Sequence, residues 1–221
     1  MGEKMNVNYI ESPLIEIKSD SGFLLDLKYC KKYKNAIDKC YVRKEVYDKL
    51  LEAKKYLPDN LTFKIWDAYR PIELQKELYY SYKEDIISYF KLENMSDEQQ
   101  NKIINKYVAY PGWDDFSFPA HTTGGAVDLT LVDINTLEEL DMGCDFDSFD
   151  ELTSTMAFEE KNMDINVRNN RRILYNAMIK AGFTNLESEY WHYDYGDINW
   201  AKKTNSNVLY SGIDLKKLSN A

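Results

Sequence analysis

The chain holds only two histidines in 221 residues, and each lies close to a carboxylate. His121 opens the run His121-Thr-Thr-Gly-Gly-Ala-Val-Asp128, and His192 closes Glu189-Tyr-Trp-His192. Two neutral imidazoles and one carboxylate are the ligand types of a zinc ion whose fourth position stays open to water, and a further carboxylate nearby can accept a proton from that water. Taken singly, either histidine is readily a surface or core residue. Taken together, with a carboxylate at compatible spacing beside each and no other histidine in the chain, they point to a single zinc site and to hydrolysis.

The spacing makes demands on the backbone. His121 and Asp128 are seven residues apart, so a regular strand would turn them to opposite faces. Gly124 and Gly125 remove that obstacle, because glycine adopts backbone angles closed to other residues and lets the chain bend after His121, returning Asp128 to the same metal. Glu189 and His192 are three apart, on one face of a helix but on opposite faces of a strand. The aromatic residues Tyr190, Trp191 and Tyr193 favour strand, which predicts a bulge or the beginning of a strand near Glu189.

The elements that must position these residues follow from periodicity. From about Arg43 to Leu57, the residues Val46, Leu50, Ala53 and Leu57 share one helical face, ended at Pro58. Leu61 to Trp66 alternates as a half-buried strand and carries Asp67-Ala-Tyr-Arg70 to its end, where Arg70 is placed as an electrophilic group. Pro71 starts a helix to about Phe90, and Ser96 with Gln99 forms a capping box for another through Tyr107. Two prolines and Gly112 make residues 109–120 a loop leading into the first histidine motif. Ala126 to Val132 is strand-like, and Asp141 to Ser154, acidic and containing Gly143, reads as a mobile loop. Arg168 to Ala181 is a helix with Gly182 placed as its C-cap, and Phe183 to Tyr195 returns as strand. Residues 1–40 read as strand and loop. This mixed order, without repeats or linkers, predicts an α+β fold: a single domain over residues 1–221 with a central antiparallel sheet flanked by helices.

Composition narrows the function. A net charge of -9, with Lys and Arg interspersed among acids, argues against nucleic acid, whose phosphates require clustered cations. No apolar run approaches the roughly 20 residues that span a bilayer, and the first residues lack the apolar stretch of a signal peptide, so the expected location is cytoplasmic with no membrane partner. Cys30, Cys40 and Cys144 are an odd number in a chain of this size and read as reduced thiols. A Cys144–His nucleophilic pair is disfavoured, since a histidine holding a metal cannot also act as base. The sequence gives no oligomeric state.

The motifs resemble a known family. His121-Thr-Thr-Gly-Gly-Ala-Val-Asp128 is similar to the Ser-x-His-x-x-Gly-x-Ala-x-Asp motif of the zinc D-Ala-D-Ala peptidases, and Glu189-Tyr-Trp-His192-Tyr to their Glu-x-Trp-His. Trp66-Asp-Ala-Tyr-Arg70-Pro, Asp128-Leu-Thr-Leu, Met142-Gly-Cys-Asp-Phe-Asp147 and Gly182-Phe resemble the D-Ala-D-Ala dipeptidases of the VanX type, in the same order, over roughly residues 20–200. The resemblance implies the D-Ala-D-Ala metallopeptidase (hedgehog/DD-peptidase-like) fold and one zinc per chain, with His121, Asp128 and His192 as ligands. It implies Glu189 as the general base, which later returns its proton to the leaving amine, and Arg70 as the group steadying the oxyanion, with a structural salt bridge to Asp67 as the alternative. Asp147 matches the acid that holds the substrate's ammonium, and Tyr29 a tyrosine assisting it.

One stretch departs from the pattern. Where the VanX type carries serines before the first histidine, this chain has Phe118-Pro119-Ala120, with Ser117 the nearest hydroxyl, which implies looser recognition of the substrate carboxylate. The expected substrate is therefore D-Ala-D-Ala or a related D-configured dipeptide, serving wall-peptide turnover or glycopeptide resistance. Two alternatives stand beside it: a carboxypeptidase acting on longer peptidoglycan peptides, and a catalytically silent zinc-bearing binding module, against which Glu189 and Arg70 argue.

Overall fold

The computed structural model describes residues 7–112, 118–160 and 163–214. A five-stranded sheet occupies the centre: β2 (Leu24–Leu25), β4 (Leu61–Asp67), β5 (Ala126–Asp133), β7 (His192–Asp194) and β6 (Thr184–Asn185), in that spatial order. The expectation of an antiparallel sheet holds for every pair except the edge pair β2–β4, which is parallel. A separate antiparallel pair joins β1 (Leu14–Ile17) to β3 (Cys40–Arg43). Among the described residues, five α-helices accompany the strands: α1 (Lys44–Lys54), α2 (Ile72–Phe90), α3 (Asp97–Ile104), α4 (Ile165–Lys180) and α5 (Ile198–Thr204). Among the described residues, no helix is long and apolar enough to cross a membrane.

The apolar face read for α1 is the one it buries: Val46, Leu50 and Ala53 are fully enclosed in a core shared with Phe63 and Ile65 of β4, Leu129 and Leu131 of β5, and Leu174, Ala177 and Met178 of α4. The strand β4 was expected to be half-buried, yet all of it but Lys64 is buried. Its second face is covered by the chain after β5: Trp66 donates its indole N–H to Glu139 and packs on Phe146, with ring centroids 5.0 Å apart. A strand inside a sheet with both faces covered need not alternate in exposure.

Several boundaries differ from the sequence reading. The capping box of Ser96 and Gln99 starts α3 as expected, but the helix ends at Ile104 and Tyr107 lies in the turn beyond it. α4 begins one turn earlier than Arg168, because the Asp164 carboxylate accepts the amide hydrogens of Asn166 and Val167 and caps the helix there. Gly182 follows α4 at φ 96°, the left-handed conformation its C-capping role requires. The single strand expected over Phe183–Tyr195 is two short strands joined by a turn. The acidic loop read as mobile is anchored instead: Arg171 of α4 donates to the carbonyls of Met142, Leu152 and Ser154.

Candidate metal centre

A bulge in β4 prepares the site. Ile65 pairs with Leu129 of β5, but the next paired residue is Asp67, opposite Asp128, so Trp66 is the extra residue. Asp128 pairs in turn with His192 of β7. Directly paired residues share a face, so Asp67, Asp128 and His192 form a row across three strands on the face opposite the Ile65–Leu129 core pair. His121 joins them from a one-turn 3-10 helix, Ala120–Thr123, that precedes β5. Gly124 ends that turn at φ 73°, and a side-chain carbon at Gly125 would stand 2.6 Å from the Tyr195 carbonyl oxygen. Both glycines thus serve the bend that the spacing of His121 and Asp128 requires.

The three side chains converge on one point. Nε2 of His121 lies 3.2 Å from Nδ1 of His192 and 3.3 Å from Oδ2 of Asp128, and His192 Nδ1 lies 3.0 Å from Asp128 Oδ1. Ligand atoms of a tetrahedral zinc at about 2.0–2.1 Å stand about 3.3 Å apart, so this spacing fits a metal held by all three. The far ring nitrogens are tied outward: His121 Nδ1 donates to the Ala68 carbonyl at 2.7 Å, and His192 Nε2 to Asp194 at 2.8 Å. A carbonyl can only accept, so His121 carries its proton on Nδ1 and presents a lone pair at Nε2. Asp128 is deeply buried, which opposes its charge, but His121 and His192 hold it well below the usual carboxylate range. His192 is likewise buried against its charge, yet Asp194 and Asp128 raise its pKa well above the ordinary value. Donor chemistry therefore calls for positive charge at this point, either a proton on His192 Nδ1 or a metal cation in its place.

Behind His192 lies a second carboxyl pair. Asp194 and Asp197 are enclosed, and their carboxyls hydrogen-bond to each other. Burial and the charge of Asp194 push the Asp197 carboxyl well up, whereas His192 outweighs burial and keeps Asp194 below its usual value, so the proton of the pair sits on Asp197. Asp194 was missed in the sequence, although its i, i+2 spacing from His192 in a strand places both side chains on one face and was a usable signal.

The remaining predicted residues surround the same cavity of about 230 Å³, which Tyr29, Arg70, His121, Asp128, Asp147, Glu189 and His192 all line. Glu189 lies neither in a bulge nor at the beginning of a strand; it sits in the turn between β6 and β7, where its backbone N–H donates to Leu186 O at 2.9 Å. Its carboxylate is 4.0 Å from His192 Nδ1, and burial lifts its pKa to about 8. Arg70 does form the salt bridge with Asp67, at 2.8 Å from Nε and 2.7 Å from Nη2, and its Nη1 donates to Gln75 at 2.7 Å. These bonds fix the guanidinium against the cavity without covering it. Asp147, at φ 59°, accepts hydroxyl hydrogens from Tyr29 at 2.6 Å and from Tyr82 at 2.7 Å, and burial raises its pKa to about 6. Gln75 and Tyr82, both on α2, also line the cavity and were not singled out; among the many tyrosines of that helix no spacing distinguishes Tyr82. Ser117 lies outside the described residues. Cys144 faces Arg171 rather than either histidine, and Cys30, Cys40 and Cys144 are free thiols.

The profile of a family described as D-Ala-D-Ala dipeptidase matches residues 15–209. A protein named D-alanyl-D-alanine dipeptidase from Enterococcus faecium is 30% identical over 165 residues, covering 67% of this chain and 70% of that protein. Its namesake from Synechocystis is 29% identical over 154 residues, 64% of this chain, and the match spans 62% of the relative's length. Another, from Enterococcus faecalis, is 30% identical over 58% of this chain and 59% of its own. Among solved structures, VanYB in complex with D-Alanine-D-Alanine aligns over 86% of this chain and 91% of its own, at 16% identity and a TM-score of 0.45. A mutant of the vancomycin resistance D,D-pentapeptidase VanY in complex with Zn(II) aligns over 84% and 91%, at 16% identity and a TM-score of 0.44.

Proposed function

Since the chain belongs to the D-Ala-D-Ala dipeptidase family, we propose that it is a zinc peptidase that hydrolyses free D-Ala-D-Ala or a related D-configured dipeptide, with one zinc per chain. The observation that carries this reading is the convergence of His121, Asp128 and His192 on one point, in a cavity that also presents Glu189, Arg70 and Asp147. Bound zinc supplies Lewis acidity there, acidifying a water and polarising the scissile carbonyl.

The chain's own groups do the rest. Glu189 takes the proton of the attacking water and delivers it to the leaving amine. Its carboxyl, lifted by burial, is drawn back toward the ionised form by positive charge at the three-donor cluster, so the base becomes competent as the centre is loaded. Arg70 faces the oxygen on which negative charge grows; Asp67 and Gln75 hold it in place beforehand, so no reorientation is needed during the reaction. Asp147 pairs with the substrate ammonium and so selects for a free N-terminus. The substrate is thus a zwitterion short enough to leave both reacting carbonyl and amine inside one small cavity.

The test is a panel of L- and D-dipeptides, N-acetyl-D-Ala-D-Ala and D-tripeptides, given to zinc-loaded wild type and to Glu189→Gln. Free D-dipeptides should be cleaved at least about tenfold faster than blocked or longer ones, a difference of about 1.4 kcal/mol. Glu189→Gln should lose about 10²- to 10⁴-fold in kcat while keeping its zinc. Equal cleavage of N-extended peptides would favour a carboxypeptidase, and zinc loss in Glu189→Gln would make that residue a ligand rather than the base.

A further inference from the structure

Asp147 is held in an unusual way. Both hydroxyls that reach it, Tyr29 from the loop before β3 and Tyr82 from α2, donate to the same oxygen, Oδ2, at 2.6 and 2.7 Å. Among the described residues no partner reaches Oδ1, and Asp147 lines the cavity. The residue also occupies the left-handed region, at φ 59°, which Asp adopts more readily than most non-glycine residues. Burial keeps the Tyr82 phenol protonated far above the usual range, so its hydroxyl is a permanent donor.

We propose that Tyr82 is a positioning residue for amine recognition: with Tyr29 it occupies one oxygen of Asp147 and thereby turns the other toward the cavity, where it takes the ammonium of a free amino acid or dipeptide. This rests on the dipeptidase reading and adds to it the element that sets the acid. A carboxylate free to rotate would divide its two oxygens between tyrosines and substrate. Two donors on one oxygen fix the plane of the carboxylate, so the contact with an ammonium is formed without further ordering. Because the two tyrosines come from segments 53 residues apart in sequence, the clamp exists only when α2 packs against the loop that follows β2.

Tyr82→Phe removes one hydroxyl and keeps the ring, and its kinetics give the test. With free D-Ala-D-Ala, KM should rise about three- to tenfold with kcat little changed, the size expected for the loss of one ordinary hydrogen bond. With N-acetyl-D-Ala-D-Ala, which has no ammonium, neither constant should move. A merely structural role would lower both substrates' kcat/KM together, and that outcome, or an unchanged KM for the free dipeptide, would overturn the inference. A second measurement works without turnover: carboxyl-carbon NMR of Asp147 in wild type and variant. Arg70, Asp128, Glu189, Tyr29 and Lys106 surround this acid and stay constant, so losing the Tyr82 hydroxyl should raise its titration midpoint. An unmoved midpoint would also sink the inference, whereas a raised midpoint in a protein that cleaves no D-dipeptide would keep the tyrosine clamp and remove the dipeptidase reading.

Discussion

At the scale of single residues, several of the groups facing the cavity have displaced pKa values, Asp147, Glu189, Asp128 and His192 among them. Asp147 shows the consequence most directly. Its folded-state pKa of about 6 lies above the ordinary 3.8, chiefly through burial, so the folded protein prefers the protonated acid. The stability this group contributes is fully present below about pH 3.8 and is lost as pH rises through about 6; at pH 8 the ionised acid costs roughly 3 kcal/mol. The proposed function requires the ionised form, since only a carboxylate pairs with an ammonium. Asp147→Asn should therefore melt higher than wild type at pH 8, with the gap closing as pH falls toward 4, and should bind the free dipeptide more weakly. In wild type, KM for the free dipeptide should climb as pH falls through about 6, and this rise should be absent in the variant. Equal melting temperatures at pH 8 would show that Asp147 carries no such penalty.

At the scale of elements, the turn before β5 and the bulge in β4 decide whether the donors meet. Removing the bulge would set Trp66 rather than Asp67 against Asp128 and would turn Asp67, the anchor of Arg70, away from the site. The turn is equally constrained, because a methyl group at Gly125 would stand 2.6 Å from the Tyr195 carbonyl oxygen and 2.9 Å from Thr123 Oγ1. Backbone must move to admit it, at about 1–3 kcal/mol. Gly125→Ala is expected to lower the melting temperature by about 3–10 °C and to weaken zinc binding, since the displaced backbone carries His121 on one side and Asp128 on the other. Calorimetry and a competitive zinc titration check both, and wild-type zinc affinity in the variant would show that the turn does not set the donor spacing.

At the scale of the whole molecule, the three donors come from positions up to 71 residues apart and join the pre-β5 turn, β5 and β7, so a cation bound there links segments that the unfolded chain separates. Chelation should lower the melting temperature of zinc-loaded protein, by about 2.7 kcal/mol of stability for zinc at a hundred times its dissociation constant, and should leave His192→Ala unaffected. Identical melting with and without chelator would remove the cluster as a metal site. Much of this was legible in the sequence, because periodicity and caps are local: the face of α1, the start of α2 at Pro71, the capping box of α3 and the glycines between His121 and Asp128 follow from residues a few positions apart. The donor types of the two histidine motifs were legible for the same reason, since each motif is a short run of sequence. The tertiary structure alone decided the rest, where the deciding contact is distant in sequence. The bulge at Trp66 is set by pairing with β5, and the two-sided burial of β4 by the segment after Asp133. Glu189 falls in a turn because β6 and β7 pair with each other. Tyr82 looks like any other tyrosine of α2 until folding brings its hydroxyl to Asp147, since a hydrogen bond across 65 residues leaves no periodic trace in the chain.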